Sequence, residues 1–294
     1  MTRSPDQLLA LLNVEDIGGD HFVGRGPIDR GRHLFGGQAI AQALSAMMRT
    51  TPPDRPVHSL HAYFVLAGDA REPVTYEVAR LRDGGSFNTR RCDAQQNGEI
   101  IFTAAASFHK LETGFEHFAA PPDAPAPEDL PSISDLAERF QAFLPGAIRN
   151  WVGFDSPLDM RVVAPETFFT GVRGGGGRQL IWFRMCGPLP DSQPVHTALL
   201  AYFSDMTLLN AALAAHGRLI FDPAIQAASL DHALWFHQPF RVDDWLLYAQ
   251  ESPEAAGARA LTRGQIFTRD GRMVASVTQE GLIRLRTRPA TVKA

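Results

Sequence analysis

Residues 86–109 read SFNTRRCDAQQNGEIIFTAAASFH. Two runs with strand-like composition, Ser86–Gln95 and Ile100–His109, flank Asn97-Gly98. A two-residue hairpin turn needs positive φ at both central positions, which Asn and Gly adopt with little strain, so the stretch predicts an antiparallel pair. Two more strand-like runs lie upstream, Val57–Leu66 and Val74–Leu81, bounded by Gly68-Asp69 and Asp83-Gly84-Gly85. Before them, Gly36-Gly37 opens a run of helix formers from Gln38 to Met48, which ends at the turn Thr51-Pro52-Pro53-Asp54. The predicted order is one helix, then an antiparallel sheet.

The second half repeats that order. A helical stretch, Val195–His216, precedes strand-like runs at Ala228–His237, Trp245–Glu251, Ala258–Thr268 and Met273–Arg284, with Asp270-Gly271 as a second two-residue hairpin signal. Laid on each other, Phe35-Gly36-Gly37 answers to Phe203-Ser204-Asp205 and Ser59-Leu60 to Ser229-Leu230. Phe102, Ala104, Ala106 and Phe108 answer to Met273, Ala275, Val277 and Gln279. Asp205 is then expected over Gly37, and Gln279 over Phe108. Prolines at 121, 122, 125, 127 and 131 divide the halves; such a segment cannot form a helix interior or a central strand and reads as an extended linker. The expected division is 1–115, a linker at 116–133, and 134–294, in an α+β fold.

Lys and Arg total 28 against 32 Asp and Glu, a net charge of -4, which gives no global attraction to nucleic acid or an anionic membrane. The apolar run Leu8–Leu12 is too short for a signal segment, and no stretch reaches the roughly 18 apolar residues of a membrane span. The chain closes on Thr-Val-Lys-Ala, which is not a peroxisomal address, so a cytoplasmic location is expected. Cys92 and Cys186 lack metal-ligand spacing and read as structural bystanders; neither a metal nor a cofactor is expected. Gly174 to Gly177 lacks a following Lys-Ser/Thr and reads as a surface turn, and no G-x-S-x-G elbow is present.

Three polar residues interrupt apolar surroundings in the second half. Gln279 shares a strand face with Met273, Ala275, Val277, Gly281 and Ile283, and a buried amide needs a specific partner. Asp205 sits between Leu199–Phe203 and Met206–Leu209, where a carboxylate marks a helix start or break. Ser229 supplies a hydroxyl from a strand. Strict alternation puts Ser229, Asp231 and His237 on one face and His232 on the other, and packing accounts for Asp231, His232 and His237.

The stretches His33-Leu34-Phe35-Gly36-Gly37-Gln38, Leu81-Arg82-Asp83-Gly84-Gly85-Ser86-Phe87 and Ala201-Tyr202-Phe203-Ser204-Asp205 resemble acyl-CoA thioesterase II. So do Ala227-Ala228-Ser229-Leu230-Asp231-His232, Trp235-Phe236-His237-Gln238-Pro239-Phe240 and Thr278-Gln279-Glu280-Gly281. The resemblance runs in order from about Leu9 to Arg284. It implies two tandem hotdog domains, each an antiparallel sheet wrapped around a central helix, acting on acyl-CoA as an assembly of two or four copies. It also implies a catalytic Asp, Thr and Gln, matched by Asp205 and Gln279 directly and by Ser229 at the position where the family usually carries Thr. A directly activated water is the expected nucleophile. Backbone N–H groups at Gly37 and Gln38 are the expected donors to the carbonyl oxygen. Two alternatives stand beside hydrolysis: acyl-CoA hydration or dehydration, which needs an Asp and a His acting together, and non-catalytic acyl-CoA binding.

Overall fold

The computed structural model describes residues 5–26, 33–139, 157–170, 176–220 and 222–286. Gly174, Gly175 and the closing Thr291–Ala294 lie outside the described residues. The first half begins with α1 (Pro5–Leu12) and a short hairpin, β1 (Glu15–Gly18) and β2 (His21–Gly24). Then come α2 (Gly36–Arg49), β3 (Val57–Phe64), β4 (Val74–Asp83), β5 (Phe87–Gln96) and β6 (Glu99–His109). Asn97 and Gly98 turn with φ of 52° and 80°, the conformation their composition favours.

The second half contains α3 (Ile133–Arg139), β7 (Leu158–Val162), α4 (Pro165–Thr170), β8 (Arg178–Met185), α5 (Gln193–Ser204) and α6 (Leu208–Ala215). It continues with β9 (Ile225–Ser229), β10 (Asp231–Phe236), β11 (Leu246–Ala256), β12 (Arg259–Thr268) and β13 (Met273–Leu285). The helical stretch expected over Val195–His216 is therefore two helices, broken at Asp205–Thr207. The run Gln193–Ala215 is long and apolar enough to cross a membrane, yet 83% of its apolar window is buried inside the fold, so it serves as core.

All strand pairs are antiparallel, in the order β1-β2-β4-β5-β6-β3-β10-β13-β12-β11-β8-β7, with β9 also on β13. The halves join where β3 and β10 run side by side, Leu60 opposite Leu234. Helix α2 packs on β3–β6 and α6 on β8 and β11–β13, and α2 meets α5 between them. This is the double hotdog, with one continuous sheet and two central helices.

Each half carries two equivalent bulges, and these correct the residue matching read from sequence. An extra residue, Ile101, interrupts the β5–β6 register as Val274 interrupts β12–β13. His58 interrupts β3–β6 as Leu230 separates β9 from β10 along β13. Aligned on the bulges, Gln279 lies over Ala106 and Phe108 over Gly281, while Ser229 answers to Val57. Met273, beyond the Val274 bulge, leaves the inner face and packs outside with Trp182, Trp245, Leu247 and Phe267. The expected two-residue turn at Asp270-Gly271 is instead a longer loop. Gly271 adopts φ 89° there, and the bonded pair closing the loop is Thr268 N–H to Arg272 O.

The Pro-rich segment is not a free tether. The Trp182 indole N–H donates to Pro125 O at 2.9 Å, Ala124 and Leu130 pack on the outer aromatic cluster, and Arg269 grips both oxygens of Glu128 at 2.7 and 2.9 Å. It straps the second half's outer face.

Candidate active site

The break between α5 and α6 puts a carboxylate at an unusual place. Asp205 follows the last turn of α5, where the helix dipole is negative and an acid is unfavourable. The compensating positive end belongs to the other half. Helix α2 starts at Gly36 behind Phe35, which has no capping side chain, and the Gly37 N–H bonds to the Asp205 carboxylate instead. This approach requires the two glycines. A Cβ on Gly36 would lie 2.6 Å from Asp205 Oδ2, and one on Gly37 would lie 2.3 Å from Tyr202 O.

The turn after Asp205 is fixed from beneath by the sheet. Tyr248 donates to Ser204 O at 2.9 Å, Gln179 donates to Thr207 O at 2.9 Å, and Gln250 donates to the Thr207 hydroxyl at 2.6 Å. Gly264, paired with Gln250 and diagonal to Tyr248 across the β11–β12 ladder, has no Cβ, which would otherwise lie 2.3 Å from the Tyr248 ring. These buried polar groups satisfy one another and clamp the segment that carries the carboxylate.

Around Asp205 the predicted trio converges. The Ser229 hydroxyl donates to Oδ1 at 3.0 Å, and Gln279 Nε2 donates to the same oxygen at 2.9 Å and also contacts Ser229 Oγ. Gln279 is fully buried on β13 and Ser229 partly open. Burial raises the Asp205 carboxyl from 3.8 to about 6, against the lowering effect of the Ser229, Gln279 and Gly37 donors. The result is a carboxylate ionised near neutrality that retains more basicity than an ordinary one.

The Leu230 bulge overturns the expected face assignment. Because it adds a residue, inward positions change from odd on β9 to even on β10, so Ser229 and His232 both face the core. Continuing the β10–β13 register sets His232 opposite Gln279. The His232 ring spans Gln279 Oε1 at 3.2 Å from Nδ1 and Ser204 Oγ at 2.9 Å from Nε2. Its surroundings drive its pKa down to about 4, mainly through burial, so the ring is neutral. Sequence alternation alone hid this contact. The other two polar residues stay outside the trio: Asp231 accepts from the Glu280 N–H at 2.6 Å, and exposed His237 pairs with Ser276.

The N–H groups expected as carbonyl donors have partners within the protein. The Gly37 N–H serves Asp205, and the Gln38 N–H is bonded to Phe35 O at 3.0 Å. The Gln38 side chain is buried and points to Arg25 O and Gln42. In this arrangement the start of α2 caps the carboxylate rather than presenting a free oxyanion hole. Among the described residues no cluster of three His, Cys, Asp or Glu side chains could hold a metal. A surface cleft of about 890 Å³ contains none of the trio; its Arg184, Arg241, Arg269 and Arg272 pair with Asp159, Asp191, Asp243, Glu128 and Asp270.

The chain resembles known proteins over nearly its whole length. Residues 25–109 match the profile of the acyl-CoA thioesterase N-terminal domain and residues 154–282 that of acyl-CoA thioesterase. Acyl-CoA thioesterase 2 of Haemophilus influenzae is 38% identical over 281 residues, 95% of this chain and 97% of its own. Acyl-coenzyme A thioesterase 8 of Mus musculus is 37% identical, over 94% of this chain and 88% of its own. Among solved structures, acyl-CoA thioesterase II TesB2 from Mycobacterium marinum superposes with a TM-score of 0.78 at 42% identity, covering 95% of this chain and 98% of that one.

Proposed function

Because the chain belongs to the acyl-CoA thioesterase family and hydrolyses acyl-CoA thioesters, we propose that Asp205, Ser229 and Gln279 activate the water that attacks the thioester carbonyl. The observation that carries this reading is the convergence of two donors on a single oxygen of Asp205. With Oδ1 taken by two donors, Oδ2, which lies against the start of α2 beside Gly36, keeps a lone pair to accept a proton from water. The Ser229 oxygen, whose own hydrogen is given to Asp205, still has a lone pair to accept the water's other hydrogen. The water is then held by both hydrogens, with its lone pair free to attack. General-base removal of the proton forms the C–O bond, and collapse of the tetrahedral intermediate expels CoA thiolate. A thiol with a pKa of about 8.5 leaves without strong acid assistance.

A buried base at about 6 suits this task, being ionised at neutral pH and still able to hold a proton transiently. Phe35 and Phe64, beside Gly36-Gly37, supply an apolar wall for the acyl chain. The hydratase reading is disfavoured because both nitrogens of the nearby His232 are engaged by Gln279 and Ser204, leaving no imidazole free to work on a substrate with Asp205. The same proposal places the reaction in cytoplasmic fatty-acid metabolism and the enzyme in a homo-oligomer, which light scattering of the purified chain would test.

The deciding experiment is thiol release from acyl-CoAs of increasing chain length by the native chain and by Asp205→Asn. Loss of turnover with acyl-CoA binding retained fits the proposal. Binding with no thiol release from the native chain would leave only the non-catalytic alternative.

A further inference from the structure

Resting on that reading of the trio, we propose that His232 is a positioning residue, whose Nδ1–H holds the Gln279 amide in the one orientation that turns its NH₂ toward Asp205 and Ser229.

A glutamine amide has nearly the same shape either way round, so packing cannot choose its orientation; only the polarity of its partners can. Gln279 is fully buried and its Oε1 meets His232 Nδ1 at 3.2 Å. While Asp205 is ionised, the carboxylate itself repels Oε1 and attracts the NH₂. That preference weakens when Asp205 takes the proton from water, because a neutral carboxyl no longer carries the charge that draws the NH₂ toward it. A fixed donor on the far side keeps the amide in place through that step.

The rest of the contact chain decides which nitrogen of His232 carries the hydrogen. With Nδ1 protonated, Nε2 is a buried acceptor, and Ser204 Oγ lies 2.9 Å from it. Ser204 has a second acceptor available, Ala201 O at 2.9 Å, but its single hydrogen must go to His232 if the ring nitrogen is not to be left bare. The donors then run in one direction: Ser204 to His232, His232 to Gln279, Gln279 to Asp205. Since Ser204 precedes Asp205 in the chain, the contacts close into a ring joining the α5–α6 break to β10 and β13. His232 stays neutral within it, since burial holds the imidazolium form far from neutral pH. The ring touches no reacting atom through His232, which acts only through Gln279.

The first measurement is ¹⁵N imidazole NMR of the intact protein between pH 6 and 8. The expected result is His232 with Nδ1 protonated and Nε2 bare throughout; an Nε2–H tautomer would reverse the amide and overturn the proposal. The second is kinetic. His232→Leu removes the donor and is expected to lower kcat about 10-fold with little change in KM. His232→Asn places an amide nitrogen the same number of bonds from the backbone as Nδ1 and is expected to restore most of the loss. In a Gln279→Ala background, adding His232→Leu should change kcat less than about twofold, because the pair acts as a unit. Equal slowing by Leu and Asn, or a further full loss in the Gln279→Ala background, would also overturn it. Near-normal turnover of Asp205→Asn would instead remove the general-base reading, and the tautomer would still decide the role of His232.

Discussion

Asp205 combines two properties that a surface carboxylate does not have: a raised proton affinity and three donors aimed at it. Asp205→Asn keeps the size and one acceptor oxygen but removes the basicity. Thiol release is expected to fall about 10²-fold or more, with acyl-CoA binding far less affected, in steady-state assays beside a binding titration. The acid limb of kcat/KM in the native enzyme should bend near pH 6, where Asp205 protonates. Stability moves the other way. Asp205 binds its proton more tightly folded than unfolded, so native stability falls as pH rises from about 4 to about 6 and is then level. Thermal melts should therefore show Asp205→Asn more stable than the native chain at pH 8, with the advantage fading toward pH 4. The three residues proposed to activate the water stand out in sequence because each is polar among apolar neighbours. His232 was not, since an odd-even rule cannot register an extra residue at Leu230.

Bulges and helix breaks decide where those side chains point. The break at Asp205–Thr207 is foreshadowed by a carboxylate inside an apolar run, whereas the bulges at Ile101, Val274, His58 and Leu230 have no compositional mark. They are made by the pairing of distant strands, and one-residue differences in register flip every later side chain. For that reason the central helix and the strands after it were readable in each half, whereas the outer strands β1, β2, β7 and β8, the division of Ala228–His237 into β9 and β10, and the matching of one half to the other were not. The abutment of α2 on α5 offers a direct test. Gly37→Ala would set a methyl 2.3 Å from Tyr202 O, a backbone atom that cannot swing away. The start of α2 must then retreat, so activity is expected to drop at least about 10-fold, with an earlier thermal transition. Restored native rates in that variant would show that the approach of the helices is not needed.

In the assembled chain, water as nucleophile leaves the thiols idle. Cys92 is buried, its thiol pushed well above the ordinary range by burial, and Cys186 is exposed at the end of β8, outside the hydrogen-bonded trio. The double variant Cys92→Ser with Cys186→Ser should retain most thiol-releasing activity. Loss of turnover in a folded Cys92→Ser variant would oppose direct attack by water. The strap across the second half should matter little by contrast: Arg269→Ala removes an exposed pair to Glu128 and is expected to leave the denaturant midpoint nearly unchanged.

The bulge-based alignment also bears on stoichiometry. Where the second half has Gln279, Ser229 and His232, the first half has Ala106, Val57 and Leu60, so the related position lacks the amide, the hydroxyl and the imidazole. The two halves divide the labour: the second holds the polar trio, and the first supplies the glycines and the helix end that cap its carboxylate. Titration with a tight-binding acyl-CoA analogue should accordingly reach its end point at one equivalent per chain, however many chains assemble.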